Sequence, residues 1–291
     1  ALMDKNYALM RLLLSQGVSP DLPNMDDLKP LTYAVRYGDE HAALLLLESG
    51  ATLNAETKVT GHTLFEWTLA WKQPMLAEVL IQHGADPNQR ISSPVRSEFL
   101  DHFEGRGNLQ FYLKNDTGLT PLMVVAGSGQ YEMLTMLREK GASKSHNTYK
   151  WKSWPINFAV KAEDIRMSQM LLGRDPDTDG KDRKIVVNLK TQKATFYEHG
   201  EVIYSSSVST GKKGYRTEPG VFVITNKDRM RRSNLYNANM PYFMRLNCSA
   251  IGMHQGNIPG YPASHGCIRL PSSYAKKFFA TAQVGDIVEI K

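Results

Sequence analysis

Cys267 stands in Ser264-His265-Gly266-Cys267-Ile268-Arg269-Leu270, and His254 precedes His265 by 11 residues in Met253-His254-Gln255-Gly256. A thiol, two imidazoles, a glycine and a guanidinium this close in sequence are the components of a cysteine acyl-transfer site. An unperturbed thiol, with a pKa of about 8.5, is only a few per cent thiolate at neutral pH, so a nucleophilic cysteine needs an imidazole or a helix dipole beside it. His254 and His265 are the two candidates for that imidazole. The chain has only one other cysteine, Cys248. Two cysteines cannot make a disulfide framework, and a catalytic Cys267 must stay free, which leaves Cys248 as a small buried apolar residue. A zinc site would have ligands of the right types, but the C-x5-H and H-x-C spacings match no common zinc module, and no metal is expected.

The stretch from residue 183 to 291 must position these groups, and its apolar residues recur with a period of two. Ile185–Leu189, Ala194–Glu198 and Val202–Ser205 predict short strands joined by turns at Lys190–Lys193 and His199-Gly200. Further strands are expected at Gly220–Thr225, Phe243–Leu246 and Asp286–Ile290, with one helix at Ser272–Thr281. The thiol therefore sits near the end of a mainly β domain.

His254 followed by Ser264-His265-Gly266-Cys267-Ile268-Arg269 resembles the signature of the YkuD-type L,D-transpeptidases, a histidine ahead of an S/T-H-G-C core. Val208-Ser209-Thr210-Gly211-Lys212 and Thr217-Glu218-Pro219-Gly220 lie where that family carries supporting turns. The resemblance implies that Cys267 attacks a carbonyl and holds the acyl group as a thioester. It implies that His254 takes the thiol proton, its other nitrogen oriented by an acceptor such as the Gln255 carbonyl. Backbone N–H groups around His265, Gly266 and Cys267 would form the oxyanion hole, Gly266 permitting the close approach. His265 would shape the turn and Ser264 brace it, Arg269 would position a substrate carboxylate, and Gln255 and Tyr261 would lie beside the substrate. No cofactor is implied. The implied substrate is the peptidoglycan stem peptide, whose terminal D-Ala is displaced by an amine to give 3-3 cross-links or an exchanged D-amino acid. Transfer to water instead gives an L,D-carboxypeptidase. A third alternative is an interaction protein whose inactive catalytic domain binds glycan.

Ahead of this domain the sequence repeats. Gly17, Gly50 and Gly84 stand 33 and 34 residues apart, each ending an apolar run, and Gly141 ends a fourth after 57. Leu31, Leu64, Leu122 and Ile156 mark the starts of the preceding helices, three of them just after a proline. Proline in a helix's first turn and glycine past its end suit helix pairs. The period resembles an ankyrin-repeat array, which implies an all-α solenoid and a protein partner. The expected organisation is an ankyrin-repeat domain over 1–176, a linker over 177–182 and the L,D-transpeptidase-like catalytic domain over 183–291. The longer gap places an insertion at about 90–115, with Phe99, Phe103, Phe111 and Tyr112, expected as a helical elaboration of the solenoid's edge. His41, His62 and His83 are expected as structural surface or turn residues.

Charge is divided unevenly. Residues 181–291 hold 17 Lys and Arg against 7 Asp and Glu, while 1–180 hold 18 against 22. The basic half suits an anionic polymer, but no RNP or finger pattern points to nucleic acid. No run of 18 apolar residues predicts a membrane span. The N-terminus shows no signal peptide pattern and begins within a repeat. Periplasm or cell envelope is the location that the family's substrate implies.

Overall fold

The computed structural model describes residues 1–53, 61–178, 183–233 and 237–291. It forms two compact units, Ala1–Ala162 and Glu163–Lys291.

The first unit is a stack of helices: α1 (Tyr7–Ser15), α2 (Pro30–Arg36), α3 (Glu40–Glu48), α4 (Leu64–Trp71), α5 (Pro74–Gln82), α6 (Ser97–Asp101), α7 (Gly107–Asn115), α8 (Pro121–Ser128), α9 (Tyr131–Glu139) and α10 (Pro155–Lys161). Helices α2, α8 and α10 each begin on the proline picked out by the repeat, a residue whose missing N–H costs nothing in the first turn. The paired helices α2/α3, α4/α5 and α8/α9 stack so that α2, α4, α8 and α10 form one row and α3, α5 and α9 another. Their facing residues, among them Ala34, Val35, Ala43, Leu69, Ala77, Leu80 and Leu122, are at most 2% exposed. One repeat buries its apolar face only against the next, so the array is the source of the core.

The insertion is helical. α6 buries Phe99, the turn after it buries Phe103, and α7 buries Tyr112 and packs on α8 and α10, while Phe111 remains exposed. His62 departs from the surface placement expected for it. It is fully buried, with Nδ1 2.6 Å from Glu66 Oε2, and its ring stacks on Phe99 at 4.2 Å. Glu66 also accepts from Gln89 Nε2 and from the Ser92 N–H and hydroxyl. A buried carboxylate demands such a full set of donors.

The second unit begins with α11 (Ile165–Leu171), capped by Asp164, which accepts from the Met167 N–H at 2.8 Å. Four residues of the expected linker, 179–182, lie outside the described residues. Among the described residues one sheet of eight strands follows: β1 (Arg183–Asn188), β2 (Lys193–Glu198), β3 (Glu201–Ser207), β4 (Gly220–Arg232), β5 (Asn239–Leu246), β6 (Gly252–Gln255), β7 (Ile268–Leu270) and β8 (Ile287–Ile290), in the order β3-β2-β1-β8-β4-β5-β6-β7. Helix α12 (Ser272–Thr281) buries Ala275 and Phe278 in the sheet's core with Phe196, Ile224, Met244 and Val288. β4 and β5 run well past the expected strands as a long, partly exposed hairpin, and the sequence gives no apolar alternation there. β6 and β7 carry the site and were not expected. They are only four and three residues long, and they pair in parallel across a connection of twelve residues, Gly256 to Cys267.

Candidate active site

The register of β6 on β7 decides which side chains meet. Met253 lies opposite Ile268 and His254 opposite Arg269. Met253 and Ile268 are both fully buried in the core of the sheet. Strand side chains alternate between faces, so Gly252 and His254 on β6, with Cys267 and Arg269 at β7, share the opposite face. That face forms one wall of a cavity of about 770 Å³. His254, Gln255, Ser264, His265, Cys267 and Arg269 line it together, whereas Gly266 and Tyr261, from the same expected set, do not. Tyr261 is 62% exposed, and it is its carbonyl that takes part in the fold, accepting from Ser209 Oγ at 2.8 Å. The other wall includes Arg231, Asn239, Met240 and Arg245 of the long hairpin.

Cys267 follows a turn wired by side chains. The Gly266 N–H donates to Ser264 Oγ at 3.2 Å, and the Ser264 hydroxyl donates to the Cys267 carbonyl. Gly266 has φ +106°, a left-handed conformation that disfavours any residue with a Cβ. Its carbonyl accepts from the buried Thr217 hydroxyl at 2.7 Å, and Thr217 Oγ1 in turn accepts from the Gly211 N–H at 2.9 Å. The Ser209 N–H and carbonyl pair with the Arg269 carbonyl and N–H, at 3.1 and 2.9 Å. Thr210's carbonyl accepts from the N–H groups of Ala263 and Ser264, both at 2.9 Å. The segment 209–217 thus holds the cysteine turn from the side away from β6. Since the Gly266 N–H is spent on Ser264, the turn presents other donors to a ligand. The Cys267 N–H is one, having no partner among the described residues.

His254 is 7% exposed, and its Nδ1 lies 2.7 Å from the Gln255 carbonyl. A carbonyl only accepts, so Nδ1 carries the proton and Nε2 of the neutral ring keeps its lone pair. Burial pushes the imidazole below its ordinary pKa; the bond to Gln255 opposes this, and the Arg269 cation adds to the lowering. Burial pushes the Cys267 thiol up, against the pull of the Gly252 N–H, Arg269 and Arg231. The Cys267 thiol lies 3.9 Å from the Ala250 carbonyl. A raised thiol and a lowered imidazole on the same cavity wall are both neutral at rest, a state suited to general-base activation of the sulfur rather than a standing thiolate. His265 meets Tyr215 edge-on at 4.6 Å, and its imidazole is lowered by burial, Lys212 and Arg269.

Arg269 makes no ion pair among the described residues. A guanidinium on a cavity wall with no carboxylate of its own can take one from a ligand. Arg231, by contrast, pairs with Asp228 at 3.1 Å, and both Arg231 and Arg245 lie over the Phe243 ring, at 5.0 and 5.6 Å. Cys248 is not the buried apolar residue expected. It is half-buried on the cavity wall with φ +56°, in a tight turn that aims it away from the core. Ser209 and Thr217 stand in the two turns that the resemblance marked, whereas Gly252 and Arg231 are residues that the sequence analysis passed over. Gly252 admits no Cβ, which would come within 2.5 Å of the Met244 carbonyl and 2.6 Å of the Phe243 ring. Among the described residues no three His, Cys, Asp or Glu side chains converge as metal ligands.

Comparisons with known proteins match the two ends of the chain to different families. The mouse ankyrin repeat and SOCS box protein 6 is 40% identical over 75 residues, 26% of this chain and 16% of that protein. A fowlpox virus ankyrin repeat protein is 24% identical over 151 residues, 46% of this chain and 44% of that one. The chain thus spans less than half the length of these curated relatives. Among solved structures, an L,D-transpeptidase from Stackebrandtia nassauensis is 27% identical, covering 46% of this chain and 66% of that one with a TM-score of 0.37. One from Mycobacterium smegmatis is 20% identical, covering 38% and 58%, with a TM-score of 0.36. The model of the ankyrin repeats matches residues 1–91 in three copies, and that of the L,D-transpeptidase catalytic domain matches 182–290. With the thiol, imidazole and guanidinium of its motif on one cavity wall, this chain carries a YkuD-type L,D-transpeptidase catalytic domain behind ankyrin repeats.

Proposed function

We propose that the protein is a peptidoglycan-modifying cysteine acyltransferase that acts on tetrapeptide stems through a Cys267 thioester, forming 3-3 cross-links or exchanging the terminal D-amino acid. The observation that carries this reading is the convergence of Cys267 and a neutral His254, its proton fixed on Nδ1 by the Gln255 carbonyl, on one cavity wall.

In the first half-reaction His254 Nε2 takes the thiol proton as sulfur attacks the carbonyl between the diamino acid's L-centre and D-Ala. The C–S bond forms, the C–N bond breaks, and the proton passes to the departing D-Ala amine. The Cys267 N–H faces the oxyanion of the tetrahedral intermediate. In the second half-reaction an acceptor amine gives its proton to His254 and attacks the thioester. The new C–N bond forms, and the thiolate leaves and recovers the proton from the imidazolium. Arg269 holds a substrate carboxylate, Gln255 lies beside the substrate, Ser264 braces the turn, and His265 shapes it. The substrate's location sets the protein's own, the periplasm or cell envelope.

The test is incubation of the purified protein with tetrapeptide muropeptides, followed by mass spectrometry. A cross-linked dimer, or D-amino acid exchange, is expected. Loss of D-Ala without dimer or exchange would make the protein an L,D-carboxypeptidase. No product, together with a Cys267 that a carbapenem does not acylate, would leave an ankyrin interaction protein whose second domain only binds glycan.

A further inference from the structure

The cavity that holds Cys267 carries more positive charge than the reaction above uses. Arg231, Arg245 and Arg269 line it, and among the described residues of its wall there is no carboxylate. Arg269 answers one substrate carboxylate, which leaves the two guanidinium groups of the hairpin formed by β4 and β5.

Register puts Arg245 in line with the nucleophile. Arg245 lies opposite Gly252 on β6, and Cys267 precedes Ile268, whose partner is Met253, so Arg245, Gly252 and Cys267 follow one another across the sheet. Residues directly opposite on neighbouring strands share a face. The Phe243 ring fills the space over Gly252, where a Cβ would come within 2.6 Å of it. Arg231 and Arg245 lie over that ring, their guanidinium carbons 5.0 and 5.6 Å from its centroid, and the His254 ring is 6.2 Å from the same centroid. The guanidinium pair and the base thus surround one phenyl group. Burial raises the Cys267 thiol, and the Arg231 cation is near enough to be among the groups that draw it back.

The pair is short of negative charge. Asp228 accepts from Arg231 at 3.1 Å and from Asn226 Nδ2 at 3.3 Å. Arg245 makes no ion pair among the described residues. Its Nε donates to Asn226 Oδ1 at 2.9 Å and its Nη1 to the Ser249 carbonyl, while Nη2 meets no acceptor among the described residues and keeps access to solvent. Burial and the neighbouring Arg231 push the Arg245 guanidinium below its ordinary pKa, which is the mark of two cations held together with one carboxylate between them. A ligand that brings an anion relieves this, and the planar fork of donors suits a carboxylate.

We propose that Arg231 and Arg245 form a second carboxylate subsite, which takes the free carboxylate at the far end of the donor stem's diamino acid. The protein therefore selects a diamino diacid in the third position over lysine or an amidated diacid. This deepens the tetrapeptide reading above and rests on it. The thioester fixes the diamino acid's carbonyl at Cys267, and its aliphatic side chain can cross the Phe243 ring to the guanidinium pair. The α-carboxylate of D-Glu in the second position is a residue further from the sulfur. The D-Ala carboxylate departs with its amine in the first half-reaction and falls to Arg269.

The test is isothermal titration calorimetry of the full chain carrying Cys267→Ala, which cannot form the thioester. Three tetrapeptides are compared: L-Ala-γ-D-Glu-diaminopimelyl-D-Ala, the same peptide amidated at the far diaminopimelyl carboxyl, and the same peptide amidated at the D-Glu α-carboxyl. The first is expected to bind about tenfold more tightly than the second, the loss of one charge-assisted pair, and within about threefold of the third. The tenfold ratio is expected to fall below about threefold when Arg231→Gln or Arg245→Gln is added, with melting temperature as the check on folding. Arg231, whose one ion pair is with the half-exposed Asp228, supplies the test should Arg245→Gln disturb the hairpin. Equal affinity for the first two peptides, no binding of the first at about 1 mM, or a ratio unchanged in both variants would each overturn the proposal. A larger loss from the D-Glu amide would overturn it too, by giving the subsite to the second residue. The reading it rests on fails separately. The expected ratio in Cys267→Ala, with no turnover of the first peptide by the unmodified chain, would keep the subsite and remove the transferase. Turnover of the first two peptides at equal kcat/KM would keep the transferase and remove the subsite.

Discussion

Cys267 carries a thiol that burial pushes up and His254 an imidazole that burial pushes down, so the two hold one proton each in the resting enzyme. This gives pH signatures of known sign. Alkylation by iodoacetamide follows the thiolate, so labelling of Cys267, separated from Cys248 by peptide mapping, should climb steadily and not level off until above pH 9. In the proposed reaction His254 is the base and must be neutral, and since its pKa is lowered, the acidic limb of kcat/KM should fall below pH 6.5. A labelling plateau near pH 6 would instead mean a preformed thiolate and imidazolium pair, against the neutral pair derived from the geometry. Cys267→Ala removes a single sulfur and should abolish turnover with the melting temperature nearly unchanged. His254→Ala should lower kcat by about 10²- to 10⁴-fold, the range of a general base. If His265→Ala were the only histidine variant to inactivate, the base would be His265.

At the scale of elements, the cysteine turn depends on a segment fifty residues earlier. Thr217 joins the Gly211 N–H to the Gly266 carbonyl, and both bonds are buried. Thr217→Val keeps the shape and leaves two backbone groups unpaired, at a cost of about 2–4 kcal/mol. Activity should fall further than that loss of stability implies, because the Gly266 conformation sets the position of Cys267. A variant with full kcat and an unchanged melting temperature would show that the turn holds itself. What the sequence made legible divides in the same way between local and remote. The strands β1 to β3 have local signals in alternation and turn residues, and the helix expected at Ser272–Thr281 has the bounds of α12, although no side chain caps its start. The Cys267 turn was legible because its residues are contiguous. β6 and β7 were not, since three or four residues have too few side chains to show a period. The turns that hold Ser209 and Thr217 were marked by the resemblance, but their pairings with Arg269 and Gly266 are remote contacts that no local pattern encodes. The hairpin of β4 and β5 beyond Thr225 is charged and partly exposed on both faces, so only its ladder of backbone bonds marks it as strand.

At the scale of the whole molecule, the boundary between folding units is a physical question about which helix belongs to which core. The 33-residue period runs on through α11 to about Leu172, yet α11 lies in the second unit and packs on β4. There Gln169, 3% exposed, donates its side-chain amide to the Gly285 carbonyl at 3.0 Å. Just beyond, Arg174 lies 3.5 Å from the buried Asp286, which also accepts from the Gln283 N–H at 2.8 Å and faces Arg183. Burial pushes the Asp286 carboxyl up, and the two guanidinium groups and the Gln283 N–H hold it back toward its ionised form. A fragment cut at 183–291 would lose both the Gln169 bond and the Arg174 cation, leaving a carbonyl without its donor and a carboxylate with one guanidinium fewer. Deprived of these partners, it should lose about 2 kcal/mol relative to a fragment spanning 163–291, roughly 8 °C in melting temperature for a domain of this size. Thermal melts of the two fragments at pH 7 measure this directly. Melting temperatures within about 2 °C of one another would mean that α11 contributes nothing to the catalytic domain's stability. The lower melting temperature expected for 183–291 would instead make the last helix in the repeat's register a structural part of the catalytic domain.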